Sequence, residues 1–192
     1  MFLDRIPVAV FDYSGAACVI VSLIFLVRKH PTYWHFSNLS LAPYFLLFIA
    51  TQQYMLAGLQ VSYLIFGLHG SFLWLLEHRR DGHAKPFNET FWYNLGWVLT
   101  LAIFAYTASL TEFRTPWDIL QFVVTSLSLI ANWATTRKWI WSWYVWIPVN
   151  LLQALLFQHL GLWIQVGLQV VLASMSVWGL VEWRRIRSSV TA

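Results

Sequence analysis

Charge is what this chain most conspicuously lacks. Of its 192 residues, 10% are Asp, Glu, Lys or Arg, against roughly 25% in an ordinary soluble domain. With 59% of residues hydrophobic, one water-soluble core could not hide the apolar surface. Cysteine is nearly absent too. Cys18 stands alone, which excludes an intrachain disulfide framework and any Cys-based zinc site, and reads as a small buried hydrophobe. Carboxylates are missing from the interiors of the apolar runs: Asp12, Glu77, Asp118 and Glu182 all fall near run ends. Proton or sodium coupling calls for carboxylates along the path, so their absence points to an uncharged or weakly charged solute. No Lys lies in the last run, which excludes a retinal Schiff base. His69 and His159 have no carboxylate or second His at ligand spacing, so both read as structural and no metal or other cofactor is called for. No nucleophile clusters with an acid or base, which argues against an enzyme. The net charge of +4 is small and scattered, so nucleic acid is not an expected partner.

What is present fits a lipid bilayer. Thirteen Trp, eight Tyr and fourteen Phe suit the headgroup boundary, where rings with a polar edge are favoured. Apolar runs at 11–27, 36–53, 55–76, 93–110, 117–135, 143–159 and 161–183 each approach the roughly 17–25 residues that a spanning helix needs. Breakers separate them at His30-Pro31, Asp81-Gly82, Lys85-Pro86 and Thr115-Pro116. The links at Gln53-Tyr54 and His159-Leu160-Gly161 are short enough to join only antiparallel neighbours. Arg28-Lys29 follows the first run instead of preceding it, so that run reads as a retained helix and not a cleaved signal. Alternating the loops puts ten of the twelve basic residues on one face, leaving only Arg5 and Arg114 on the other. That bias places the amino end outside and the carboxyl end in the cytoplasm of a multi-pass cell-membrane protein.

The chain also repeats itself. An offset of 105 carries Pro43 onto Pro148, Gln53 onto Gln158, Gln60 onto Gln165, Ser71 onto Ser176 and Glu77 onto Glu182, while the Arg28-Lys29 and Arg137-Lys138 hairpins are 109 apart. The expected architecture is therefore all-α: seven transmembrane helices in one membrane domain over 1–192. Parallel three-helix repeats at 11–80 and 117–185 are joined by a linker helix at 93–110, a three-one-three plan. Such repeats suggest a transporter with its site near the midplane. Polar residues recur on single faces: Thr125, Ser128 and Asn132; Trp143, Trp146, Asn150 and Gln153; Gln165 and Gln169; Gln60, Tyr63, Gly67, Gly70 and Trp74; and, more weakly, Asn38 and Tyr44. The glycines, with Ser71, Ser174 and Ser176, read as helix-packing positions. Asn132, Trp146 and Asn150 read as ligand groups, because amides beside indoles suit a planar, hydrogen-bonding molecule. Trp146 would stack on its ring and Asn150 would bond its polar edge.

From Asp118 to Arg185 the chain resembles the PnuC family of vitamin-precursor transporters. The likeness lies in Asp118, Thr125-Ser126-Leu127-Ser128, Arg137-Lys138, Trp143-Tyr144-Val145-Trp146 with Asn150, Gly161-Leu162, Gly179 and Glu182-Trp183-Arg184-Arg185. The first half is similar through Arg28, Trp34, Ala57-Gly58-Leu59-Gln60, Tyr63, Gly70 and Trp74. The resemblance implies facilitated uptake of nicotinamide riboside or a related ring-plus-sugar precursor, trapped inside by a separate kinase. It implies that Trp143 and Trp146 shape the site, completed by Gln60, Tyr63, Thr125, Ser128, Asn132, Asn150, Gln165 and Gln169. Many members carry Gln where this chain has Asn132. Relatives carry riboflavin, thiamine or nucleosides, and a SWEET-like sugar carrier shares the helix plan. The oligomeric state, homo-oligomer included, stays open.

Overall fold

The computed structural model describes residues 8–79 and 89–191. Arg5, Arg80 and Lys85, which enter the charge count, and the breakers at 81–82 and 85–86 lie outside the described residues. Among those described, every regular element is an α-helix: α1 Val8–Val27, α2 Thr32–Ala50, α3 Tyr54–Arg79, α4 Glu89–Ser109, α5 Pro116–Thr136, α6 Trp141–His159 and α7 Trp163–Thr191. Four are long and apolar enough to cross a membrane, over Ala9–Val27, Tyr54–Leu75, Pro116–Thr136 and Trp163–Ser188, and α4 holds a shorter apolar stretch at Asn94–Ser109. The remaining two, α2 and α6, each carry an interior proline and several polar residues.

The helices pack inside out relative to a soluble protein. Leu39, Leu68, Val98, Leu151, Val170 and Val181 are more than half exposed, whereas Gln60, Asn132, Asn150, Gln153, Gln165 and Gln169 are buried. In lipid this is the stable arrangement, because an outward polar group would lose its hydrogen bonds. Going round the bundle, α1 packs on α2, α2 on α3, α3 on α5, α5 on α6, α6 on α7 and α7 back on α1, while α4 packs on α3. Six helices thus close a circuit, and α4 lies against one of its members.

The turns set the register between the halves. Lys29 and Lys138 take left-handed φ of 54° and 52°, and Gln52 and Gly161 take 58° and 72°. Both pairs are 109 apart, as are the starts of α2 and α6 and of α3 and α7. The turn hydrogen bonds agree: Lys29 N–H to Leu26 C=O answers Lys138 N–H to Thr135 C=O, and Gln53 N–H to Phe48 C=O answers Leu162 N–H to Phe157 C=O. The offset of 105 expected for helices two and three is therefore displaced by four residues, and Pro43 and Pro148 are not equivalent. Four residues are about one helical turn, so both offsets keep the same face inward, and composition alone cannot separate them.

At 109, the two halves make reciprocal contacts. The Trp74 indole N–H on α3 donates to the Thr136 carbonyl at the end of α5 at 3.0 Å, and that of Trp183 on α7 donates to the Val27 carbonyl at the end of α1 at 3.1 Å. Lys138 lies over the Trp74 ring at 4.7 Å and Lys29 over the Trp183 ring at 4.9 Å. Trp34 meets Trp74 edge-on, and Trp143 meets Trp183 in the same way, with centroids 5.6 and 5.2 Å apart. Gly70 and Gly179 admit the Trp34 and Trp143 rings, since a Cβ at Gly179 would lie 2.5 Å from Trp143. Each last helix of a half is thereby latched to the first hairpin of the other half. Both latches sit at the end of the bundle that carries Lys29 and Lys138.

At the opposite end, α5 begins with a capping box. The Thr115 side chain accepts from the Asp118 N–H, and the Asp118 carboxylate accepts from the Thr115 N–H at 2.7 Å. Gln121 of α5 donates to Gln53, and Trp117 stacks on His159 with centroids 4.2 Å apart.

Candidate substrate cavity

Inside the circuit lies a cavity of about 140 Å³, lined from α1, α2, α3, α5, α6 and α7. The sequence marked ten residues as its site. Eight of them line the cavity: Gln60, Tyr63, Asn132, Trp143, Trp146, Asn150, Gln165 and Gln169. Thr125 and Ser128 do not. Both are fully buried in α5, but Ser128 stands one bond back, accepting from the Gln153 amide at 3.2 Å while donating to the Val124 carbonyl. A three- and four-residue spacing fixes a face, yet α5 turns that face partly toward α6 instead of the cavity.

The wall groups are held in defined orientations. The Trp146 N–H donates to the Thr135 hydroxyl at 3.1 Å, and its ring meets Tyr63 edge-on at 6.5 Å. Asn150 donates to the Ser176 hydroxyl at 3.1 Å, linking α6 to α7. Gln60 donates to the Leu56 carbonyl at 3.3 Å, and Gln165 donates to the Asp12 carboxylate at 2.5 Å. With Gln153, four wall amides direct their NH2 ends at protein acceptors, leaving their carbonyl oxygens as acceptors for ligand hydroxyl or amide hydrogens. Three further polar atoms on lining residues are buried without a protein partner: the indole nitrogens of Trp34 and Trp143 and the Gln169 carbonyl oxygen. Buried polar atoms are ordinarily paired, so these three suit a polar guest.

The 109-residue relation exposes an asymmetry. Trp34 and Trp143, Phe48 and Phe157, and Gln60 and Gln169 are matched across the cavity, and the two phenylalanines stack with centroids 6.0 Å apart. Leu23, Leu41 and Leu56, however, occupy the positions that Asn132, Asn150 and Gln165 hold in the second half. At these three positions one wall bears amides where the facing wall bears leucines. Trp34, Tyr33, Ser22 and Ser40 also line the cavity, although the sequence reading did not single them out as site residues. The 109 register would have marked Trp34 as the partner of Trp143. Asn38, in contrast, turns away from the cavity, donating to Ser71 at 3.4 Å and packing against Gly67.

One expectation is overturned. Asp12 lies near the start of α1, as read, but it is only 4% exposed and contacts Gln165 in the cavity wall. Proximity to a helix end did not leave it in water. Asp118 is engaged in its capping box, and Glu182 pairs with Arg185 at 2.7 Å. Among the described residues, no three His, Cys, Asp or Glu side chains gather as a metal site.

A multi-helix bundle with an apolar exterior and a central, polar-lined cavity defines the class of membrane transport proteins. Within that class, the nicotinamide mononucleotide transporter family matches the chain over residues 9–185, and the protein belongs to that family. No curated protein and no solved structure gives a match.

Proposed function

We propose that this protein carries nicotinamide riboside, or a closely related ring-plus-sugar vitamin precursor, across the cell membrane by facilitated diffusion. The observation that carries the reading is the two-sided cavity. Amide oxygens on α6 and α7 suit sugar hydroxyls and a carboxamide, and the leucines of α1 to α3 suit the flat face of a ring. Among the described residues no Lys or Arg lines the cavity, so a phosphate would find no countercharge from them, which favours the riboside over the mononucleotide.

In the same reading, the circuit is two three-helix repeats related by a two-fold axis, with α4 as the linker that lets both repeats run in parallel. The latched end, which bears Lys29 and Lys138, faces the cytoplasm. A cytoplasmic kinase traps the riboside by adding the charge that the cavity does not accommodate. Riboflavin, thiamine, nucleosides and simple sugars are the competing substrates. A thermal-shift screen of the purified protein against B-vitamins, nucleosides, nicotinamide mononucleotide and glucose tests this directly, since a ligand bound to the folded state raises Tm. Nicotinamide riboside should give the largest shift. A larger shift from the mononucleotide or from glucose would overturn the assignment.

A further inference from the structure

Asp12 ties α1 to α7 through a single hydrogen bond. Its carboxylate is 4% exposed, and its recorded hydrogen-bond partner is a neutral amide, Gln165, itself 2% exposed. No Lys, Arg or His among the described residues forms an ion pair with it. Among the described residues, the basic residue nearest to it in sequence is Arg28, just beyond the far end of α1 and roughly 24 Å away at 1.5 Å per residue. Arg114 is engaged with Glu112 at 2.5 Å. A buried charge without a countercharge is costly; none is found for Asp12 among the described residues, and its partner Gln165 lines the cavity.

We propose that Asp12 sets the charge preference of the cavity, making it selective for ligands whose ring carries a fixed positive charge. The inference rests on the transport reading above and extends it. Gln165 presents its NH2 to the carboxylate, so its amide dipole points its negative oxygen away from Asp12, continuing the field of the carboxylate. Tyr44, whose ring packs against Gly15 on α1, also lines the cavity and sets its hydroxyl beside Gln165 and Asp12. In a low-dielectric bundle, one charge behind one amide acts on the whole cavity. Among the described residues no cationic side chain lines the cavity to cancel it. A pyridinium ring joined to ribose is a cation of this kind, and its reduced dihydropyridine form has nearly the same shape without the charge. The cavity therefore reads the oxidation state of the ring through its charge.

The test compares equilibrium binding of nicotinamide riboside and reduced nicotinamide riboside to the purified full-length protein, its Asp12→Asn variant and its Asp12→Glu variant. Wild type should prefer the cation, and Asp12→Asn should lose on the order of tenfold for the cation, a change of about 1.4 kcal/mol, with the neutral form nearly unchanged. Asp12→Glu should keep the preference. Equal weakening of both forms in Asp12→Asn would show that Asp12 merely orients Gln165, and would overturn the proposal, as would an unchanged ratio. Asp12→Ser, which retains an acceptor for Gln165, gives the same reading if the Asn variant does not fold. If wild type binds neither riboside, the substrate assignment fails separately. The charge preference is then measured with cationic thiamine against uncharged riboflavin, where its absence in wild type or its persistence in Asp12→Asn overturns the proposal.

Discussion

Asn150 commits its amide hydrogens to Ser176 and keeps its oxygen for the cavity, so it serves packing and recognition together. Replacing it by Leu should cost about 1–3 kcal/mol of stability by removing the donor to the Ser176 oxygen, and should weaken riboside binding several-fold in whatever protein folds. Trp146→Phe separates the two roles better, because it keeps a ring against Tyr63 and loses only the bond to Thr135. Its Tm should fall little, while its affinity should fall by roughly five- to tenfold, about 1–1.4 kcal/mol, the low end of the range for base-stacking contacts. Equilibrium binding beside a melting curve decides both cases. Most of these wall residues were legible in the sequence, since an amide or indole in an apolar run has few reasons to be there. The burial of Asp12 was not legible. Its partner lies 153 positions away, and no local pattern announces a contact of that span.

Helix positions were legible for a related reason: apolar runs of spanning length, bounded by Pro, Gly and basic pairs, leave little choice of secondary structure. The register between halves was not, because a slip of four residues preserves every inward face. The left-handed turns at Lys29, Gln52, Lys138 and Gly161, with the helix starts that follow them, distinguish 105 from 109. These turns make their own forecast. Gly161 has a φ of 72°, where a side chain is strained, so Gly161→Ala should lower stability by roughly 1 kcal/mol, visible as a reduced Tm with binding intact. Trp183→Phe should cost more, about 1–3 kcal/mol, by leaving the Val27 carbonyl unsatisfied. Trp74→Phe should match it, since the two latches are counterparts. Unequal losses would show that the halves are not energetically equivalent.

At the scale of the whole molecule, a topology follows from the basic residues gathered at the latched end. A reporter fused after Ala192 should be cytoplasmic and one fused before Met1 external. Both on one side would overturn the seven-span reading. In proteoliposomes the protein should equilibrate nicotinamide riboside without concentrating it, even under an imposed proton gradient. Accumulation above the outside level would instead assign the buried Asp12 to ion coupling.

The crossed latches carry a consequence for how the chain could be made. Trp74 needs the α5 carbonyl and Trp183 needs the α1 carbonyl, so neither half satisfies itself and each holds what the other is missing. A gene cut between Arg79 and Glu89 should therefore yield two polypeptides that are unstable when expressed singly and that recover each other when expressed together. Co-purification of the pair through a tag on one piece, with riboside binding restored, would show that the covalent link between the halves is dispensable while their mutual completion is not.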